Sequence, residues 1–148
     1  PVAEANIYHD PHAADIVMRA GCPVVMVGLD VTQQVIMTPR FFDKIFTAKN
    51  TATNFIQSIL PVYQQYHERF HNMGGSIHTH DPSAISYVNN PDLFQTKSVP
   101  VFVETVGRCK GKTTADWHHQ WEERKEVEVC LSVNAPGVLA LIKERLTN

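Results

Sequence analysis

Residues 23–32 read Pro-Val-Val-Met-Val-Gly-Leu-Asp-Val-Thr, and this stretch is the strongest indication of the fold. Val24 to Val31 form a short and almost continuously apolar run between a proline and a threonine. Such a run is typical of a strand that is buried on both faces, and strands of this kind usually belong to α/β sheets. We therefore predict a buried strand over 24–31 in a layered α/β fold.

Two more segments have strand character. Residues 98–106 are predicted to form another buried strand. Over 126–133, valine and leucine alternate with more polar residues, which indicates a strand with one wetter face at or near the edge of a sheet. Because helical segments separate these strands, we predict a three-layer, Rossmann-like α/β fold with a mainly parallel sheet.

The helical segments begin with recognisable caps. Asp10-Pro11 opens a helix over 12–20, and Gly21 ends it. Thr38-Pro39 opens a second helical region, whose later part has an apolar stripe over 55–70 that Pro61 should kink or divide. A short helix is predicted from Asp81-Pro82 to Val88, and a last one over 135–146.

Composition restricts the class of protein. The chain has 148 residues, 13 basic and 15 acidic, for a net charge of −2, and 43% of its residues are hydrophobic. This balance predicts one soluble globular domain with no nucleic-acid or membrane partner. The cysteines Cys22, Cys109 and Cys130 are scattered and odd in number, so we predict buried thiols in a reducing, cytoplasmic compartment.

Glu4 and Asn6 form the first candidate site. A carboxylate and an amide two residues apart lie on one face of an extended chain, where they could hold adjacent hydroxyl groups. The alternative is that both are solvated or capping groups at a helix start.

The second candidate is His78-Thr79-His80-Asp81-Pro82, which follows a Gly-Gly loop. Loops of this kind often carry binding and catalytic groups. In one alternative Asp81 is only a helix N-cap. In another, His78 and His80 point the same way from a strand and bind zinc, although no further cysteine or histidine lies at a spacing typical of a third zinc ligand.

An aromatic stripe and a repeated motif complete the candidates. The helical spacing of Tyr63, Tyr66, His67 and Phe70 favours core packing over a wall that faces the substrate. His9-Asp10-Pro11 repeats the pattern of residues 80–82, and local pattern alone does not choose between the two.

Three separated segments resemble the inosine-uridine nucleoside hydrolase family in order and spacing. They are residues 1–14 (Pro-Val-Ala-Glu-Ala-Asn-Ile-Tyr-His-Asp-Pro-His-Ala-Ala), 28–32 (Gly-Leu-Asp-Val-Thr) and 80–84 (His-Asp-Pro-Ser-Ala). The resemblance continues to the end of the chain but covers only about the second half of a family member. Ala5 is smaller than the residue that many members have there, and residues 78–79 also depart from the commoner pattern.

This resemblance implies hydrolysis of the N-glycosidic bond of inosine- or uridine-type ribonucleosides, with a calcium-bound water as nucleophile. It implies that Asp81 is a calcium ligand, that His80 is the acid near the leaving base, and that Glu4 and Asn6 bind ribose hydroxyls. The two pairs would then meet at one sugar-sized site. Tyr66 would contact the substrate from a mobile helical region, whereas His9-Asp10 would mark a structural helix start.

The Asp-rich amino-terminal signature of the family does not occur in residues 1–148, which we interpret as the C-terminal portion of a single domain. Since calcium takes about 6–8 oxygen ligands, this chain alone is expected to bind it poorly and to be inactive. The resemblance further implies a missing amino-terminal half as partner, a homodimer or homotetramer, and a role in purine and pyrimidine salvage. The alternatives are a non-catalytic remnant of the same fold and a zinc hydrolase using His78 and His80.

Overall fold

The structure is a computed structural model, and it describes residues 2–121 and 124–148. Besides a short 3-10 helix at Pro91–Leu93, its elements are, in chain order, α1 (Ala5–His9), α2 (Pro11–Arg19), β1 (Val25–Met26), α3 (Leu29–Thr32), β2 (Ile36–Met37), α4 (Pro39–Phe46), α5 (Thr51–His71), β3 (Ile77–His78), α6 (Asp81–Asn89), β4 (Phe94–Val103), β5 (Thr113–Ala115), β6 (Glu126–Val133) and α7 (Ala135–Thr147).

The chain forms two compact units. The first contains the described residues through Leu29 and those within Gln95–Leu131, and the second contains Asp30–Phe94 and Ser132–Asn148. Glu4 and Asn6 therefore belong to the first unit, whereas Tyr66, His80 and Asp81 belong to the second.

The first unit is built on a mixed sheet with strand order β1-β6-β4-β5. β1 pairs with β6 in parallel, with Val25 opposite Glu128, and β4 pairs with β5 in antiparallel, with Val101 opposite Ala115. The predicted α/β class is confirmed, and the sheet is mixed rather than mainly parallel. Its core consists of side chains from α2, β4 and β6, namely Met18, Val99, Val101, Val103, Val127 and Val129.

The second unit packs helices around a separate core. α4, α5 and α7 contribute most of the apolar side chains, with Phe42, Ile45 and Leu60 buried among them. β2 and β3 form a two-stranded antiparallel sheet in which Ile36 lies opposite His78. This small sheet fixes His78 at the end of β3, two residues before His80 and three before the first residue of α6.

The strand predictions are partly correct. β6 has the predicted bounds and, as predicted, lies near the edge of the sheet, as the second strand between β1 and β4. The predicted strand over 24–31 is wrong in extent, because only Val25–Met26 pair and the chain then turns into α3. β4 begins at Phe94 and ends at Val103, earlier at both ends than predicted.

The helix starts follow the capping residues. The Asp10 carboxylate accepts a hydrogen bond from the Ala13 amide at 2.9 Å, and Thr38 caps α4 in the same way. Pro61 does not divide α5, which is a single helix of 21 residues with the proline in its interior. The predicted core stripe is wrong for Tyr63, Tyr66 and Phe70, which are all exposed. The side chains that α5 buries are Thr53, Leu60 and His67, at seven-residue intervals.

The described parts of the chain place two of the three predicted buried thiols at the surface. Cys22 and Cys109 are exposed, and only Cys130 is buried. None of the helices among residues 2–121 and 124–148 combines the length and the apolar character that crossing a bilayer requires.

Replacing Asn50 by Ala should weaken the second unit. The Asn50 side chain accepts from the Thr53 amide at 2.9 Å and donates to the Leu146 carbonyl at 2.7 Å, so it both caps α5 and ties it to α7. We expect the free energy of unfolding to fall by about 1–2 kcal/mol in urea titrations. Asn54→Ala, one turn later on the exposed side of α5, is the control and should cost nothing. Equal unfolding midpoints for both variants would contradict the capping role.

Candidate functional site

Glu4 and Asn6 lie at a helix start and not in an extended segment as predicted. Glu4 is the N-cap of α1, where its carboxylate accepts hydrogen bonds from the amides of Asn6 at 2.8 Å and Ile7 at 3.1 Å. The Asn6 side-chain amide also donates to the Glu4 carboxylate at 3.1 Å. The capping alternative is therefore confirmed, and capping holds the carboxylate and the amide together.

A glycine allows another segment to pack directly against α1. Gly111 has a φ of +84°, and a Cβ atom there would lie 2.9 Å from the Cα of Tyr8 and from the Cβ of Ala3. Only glycine tolerates this backbone conformation together with so close an approach. The backbone around 111 thus supports the segment that carries Glu4 and Asn6.

His80 and Asp81 lie at the start of α6. His80 is the N-cap residue, but its side chain makes no capping hydrogen bond, and Asp81 is the first helical residue with an exposed side chain. The alternative in which Asp81 is only an N-cap is therefore wrong. The imidazole of His80 instead reaches back to α3, where its Nδ1 lies 2.7 Å from the Oγ1 of Thr32.

His80 belongs to a group of four histidines that we call the histidine cluster. His67 and His71 come from α5, and His78 and His80 come from β3 and the loop after it. The ring centroid of His78 lies 5.7 Å from the ring centroids of His67 and His80, and 5.5 Å from the ring centroid of His71. His67, His78 and His80 belong to separate candidate motifs in the sequence, and the packing of α5 against β3 brings the four histidines together.

Burial and neighbouring charge act on His78 in the same direction. Burial lowers the pKa of the His78 imidazole, and the nearby imidazoles of His80, His67 and His71 lower it further. A hydrogen bond from its Nδ1 to the Gln33 carbonyl, at 3.1 Å, opposes them only in part. The cluster therefore favours a neutral His78 near neutral pH.

Tyr66 stands at the border of the histidine cluster. Its ring packs at 4.8 Å from that of Phe70 and at 5.5 Å from that of His67. Because 55% of Tyr66 is exposed, the ring is open to solvent and does not have the predicted core role.

The histidines and carboxylates do not form a complete metal centre. Within residues 2–121 and 124–148, no group of three or more histidine, cysteine, aspartate or glutamate side chains is placed to hold a metal ion. Asp81 offers at most two of the roughly 6–8 oxygen ligands that calcium takes, so these residues do not fit a whole calcium site. His78 and His80 likewise lack a third ligand for zinc in the part of the chain that is described.

The repeated motif at residues 9–11 has the structural role that the resemblance implies. Asp10 caps α2, and the Nδ1 of His9 donates to the Ala5 carbonyl at 2.6 Å. Both side chains therefore make hydrogen bonds at the ends of α1 and α2. A separate cavity of about 620 Å³ in the first unit, lined by Arg19, Asp116 and Trp121 among others, contains no predicted site residue.

Thr79, between the two histidines, has a buried hydroxyl without a hydrogen-bond partner. Replacing it by Val removes the polar atom and keeps the shape, so we expect the chain to become more stable by about 1 kcal/mol. Thermal and urea unfolding of the Thr79→Val chain would measure this gain. A loss of stability would mean that the hydroxyl has a partner in solution.

Comparison with known proteins supplies the family. Residues 1–140 match the family described as "Inosine-uridine preferring nucleoside hydrolase". The chain belongs to that family. Among curated proteins it is 36% identical to "Probable uridine nucleosidase 2" of Arabidopsis thaliana over 99% of its own length and 47% of the relative. It is 34% identical to "Pyrimidine-specific ribonucleoside hydrolase RihA" of Escherichia coli O7:K1, again over 99% of this chain and 47% of that protein.

Solved structures of nucleoside hydrolases have the same fold. A plant nucleoside hydrolase matches with a TM-score of 0.93 and 32% identity over 99% of this chain and 48% of its own. A "Purine-Preferring Ribonucleoside Hydrolase from Gardnerella vaginalis" matches with a TM-score of 0.87 and 31% identity, over 98% and 46%. The predicted nucleoside-hydrolase-like fold is thus confirmed. The chain spans about half the length of the relatives it matches, as expected for the C-terminal half of a family member.

Proposed function

We propose that this chain is the C-terminal half of an enzyme that hydrolyses the N-glycosidic bond of inosine- or uridine-type ribonucleosides to ribose and free base. The observation that carries the proposal is the family match over residues 1–140, which includes Glu4, Asn6, His80 and Asp81. Relatives named for uridine, pyrimidine and purine nucleosides support the reaction class without selecting one base.

The side chains support distinct roles in this reaction. As the bond between ribose and base breaks, the base takes the electron pair and needs a proton, which His80 can supply. The ribose carbon becomes positively charged, and the carboxylates of Glu4 and Asp81 would favour that charge. Glu4 and Asn6 would also accept and donate hydrogen bonds to ribose hydroxyls, and Tyr66 would pack against the base.

We propose calcium as the metal of the whole enzyme, with Asp81 as one ligand. Most of its ligands would have to come from a polypeptide outside this chain, because the described residues provide no group of three donors. The amino-terminal half of a family member is the partner that would provide them. On this basis the chain alone would be inactive, and the homo-oligomer, the cytoplasmic location and the salvage role stay predictions.

A non-catalytic remnant of the fold is the second candidate, and it is favoured by one observation, namely that the described residues provide no group of three or more metal-ligating side chains. Zinc hydrolysis through His78 and His80 has no comparable support. The half-enzyme and the remnant differ in whether His80 and Asp81 support nucleoside hydrolysis when the rest of the enzyme is supplied.

A chimeric enzyme tests the proposal. This chain would be fused behind the part of the Arabidopsis uridine nucleosidase that precedes the match, and release of uracil from uridine and of hypoxanthine from inosine would be measured with calcium. We expect hydrolysis of at least one nucleoside by the chimera and none by this chain alone. A chimera with a cooperative thermal transition and no activity, beside an active Arabidopsis enzyme, would favour the remnant.

A further inference from the structure

Thr32 makes a long-range hydrogen bond to the proposed acid. It is the last residue of α3, its side chain is buried, and its Oγ1 lies 2.7 Å from the Nδ1 of His80. Forty-eight positions in the chain separate the two residues. Both belong to the second unit, so the contact does not depend on how the two units are arranged.

We propose that Thr32 is a positioning residue, which holds His80 by its Nδ1 and thereby reserves Nε2 for the proton that goes to the leaving base. This inference rests on the proposed function, since it assigns the reacting nitrogen of the proposed acid. The hydrogen bond made by one imidazole nitrogen determines the tautomer and hence what the other nitrogen can do.

The chemistry identifies Nδ1 as the nitrogen that keeps its proton. In the reaction, Nε2–H of the imidazolium gives its proton to the base, the glycosidic electron pair leaves with the base, and water adds to the ribose carbon. After this transfer His80 is neutral, with a lone pair on Nε2 and hydrogen on Nδ1, and the proton that the water loses later restores the imidazolium for the next cycle. The Thr32 oxygen accepts the Nδ1 hydrogen in both states.

The neighbouring histidines show the same use of Nδ1. His67 donates from Nδ1 to the Tyr63 carbonyl at 2.9 Å, and His78 donates from Nδ1 to the Gln33 carbonyl at 3.1 Å. Carbonyl oxygens only accept hydrogen bonds, so both rings carry hydrogen on Nδ1. Thr32 gives His80 the corresponding partner, and the buried ring of His67 lies 6.5 Å from that of His80 at an angle of only 24°.

Three variants of this chain test the tautomer of His80 directly. The measurement is long-range proton–nitrogen NMR at about pH 8, where an ordinary imidazole is neutral. The unchanged chain and Thr32→Ser should both show hydrogen on Nδ1 of His80. Thr32→Val should shift His80 toward the Nε2–H form. Thr79→Val is the matched control, because it removes a buried threonine hydroxyl next to His80 that has no hydrogen-bond partner.

An unchanged His80 tautomer in Thr32→Val, or an equal change in Thr79→Val, would overturn the positioning role. Thermal unfolding of each variant shows whether the fold is kept, and Thr32→Ala, which also lacks the hydroxyl and should shift the tautomer in the same way, supplies the answer if Thr32→Val does not fold. A purely structural role for Thr32 would change the unfolding transition and leave the tautomer of the folded chain as it is.

In the chimeric enzyme, Thr32→Val should lower kcat about tenfold with little change in KM, and Thr32→Ser should restore most of it. A rise in KM without a fall in kcat would contradict the positioning role. If the chimera hydrolyses no nucleoside, the proposed function fails, whereas the NMR result still decides whether Thr32 sets the state of His80.

Discussion

Replacing His80 by Gln in the chimeric enzyme is expected to lower kcat for nucleoside hydrolysis by about 10²–10⁴-fold, the range that general acid catalysis supplies. Glutamine keeps a polar side chain at the start of α6 but cannot give a proton to the leaving base. The loss should appear in kcat more than in KM, because proton transfer occurs in the transition state and not in substrate binding. Initial rates of uracil and hypoxanthine release would measure it.

His78→Gln is the matched control for this experiment. His78 lies two residues away in the same cluster, with its ring 5.7 Å from that of His80, but nothing assigns it a proton transfer. We expect a loss of less than about tenfold. Equal losses in the two variants would show that the cluster acts through general packing and that His80 is not the acid.

Asp15→Ala should be among the most destabilising single changes in the first unit. The Asp15 carboxylate lies 2.7 Å from the Arg124 guanidinium and 3.0 Å from that of Arg19, and only 13% of its side chain is exposed. Arg124 is itself mostly buried and lies over the Phe102 ring at 3.7 Å. Removing the carboxylate leaves a buried cation without its partner, at a cost of about 3 kcal/mol in the free energy of unfolding.

Urea unfolding of the Asp15→Ala chain measures this cost, and the exposed aspartate of α4 provides the control. Asp43→Ala should shift the free energy of unfolding by less than about 0.5 kcal/mol. A similarly small effect of Asp15→Ala would mean that the two arginines are solvated when the carboxylate is absent.

The same ion pair predicts how stability depends on pH. Burial alone would raise the pKa of Asp15, but the hydrogen bond and charge of Arg124, followed by the charge of Arg19, lower it overall. A carboxylate with a lowered pKa stabilises the fold above its unfolded pKa, and this contribution is lost as pH falls through the folded value. The stability difference between the chain and Asp15→Asn should therefore shrink below about pH 4. A constant difference from pH 7 to pH 3 would contradict this.

Local features of the fold could be predicted because they depend on neighbouring residues. Asp10 and Thr38 cap the helices that follow them, as their types and the adjacent prolines indicate. β6 could be located from alternation, but its place between β1 and β4 could not, because strand order depends on pairing between distant segments. The run over 24–31 was misleading, since apolar composition alone does not separate strand from helix.

The candidate site divides in the same way. Glu4, Asn6, His80 and Asp81 were identified by resemblance, and the structure adds how capping and the start of α6 hold them. The bond between Thr32 and His80 spans 48 positions, and no local pattern predicts it. Its one indication was that Thr32 ends the motif at residues 28–32. The predicted meeting of the acid-amide pair with His80 and Asp81 stays a prediction.

The fate of the water oxygen tests the central claim of nucleoside hydrolysis most directly. The chimeric enzyme would act on uridine in water enriched in oxygen-18, and mass spectrometry would locate the label before the sugar exchanges it. Hydrolysis predicts labelled ribose, unlabelled uracil and no requirement for phosphate. Formation of a phosphorylated sugar, or no cleavage by a folded chimera beside an active Arabidopsis enzyme, would contradict it.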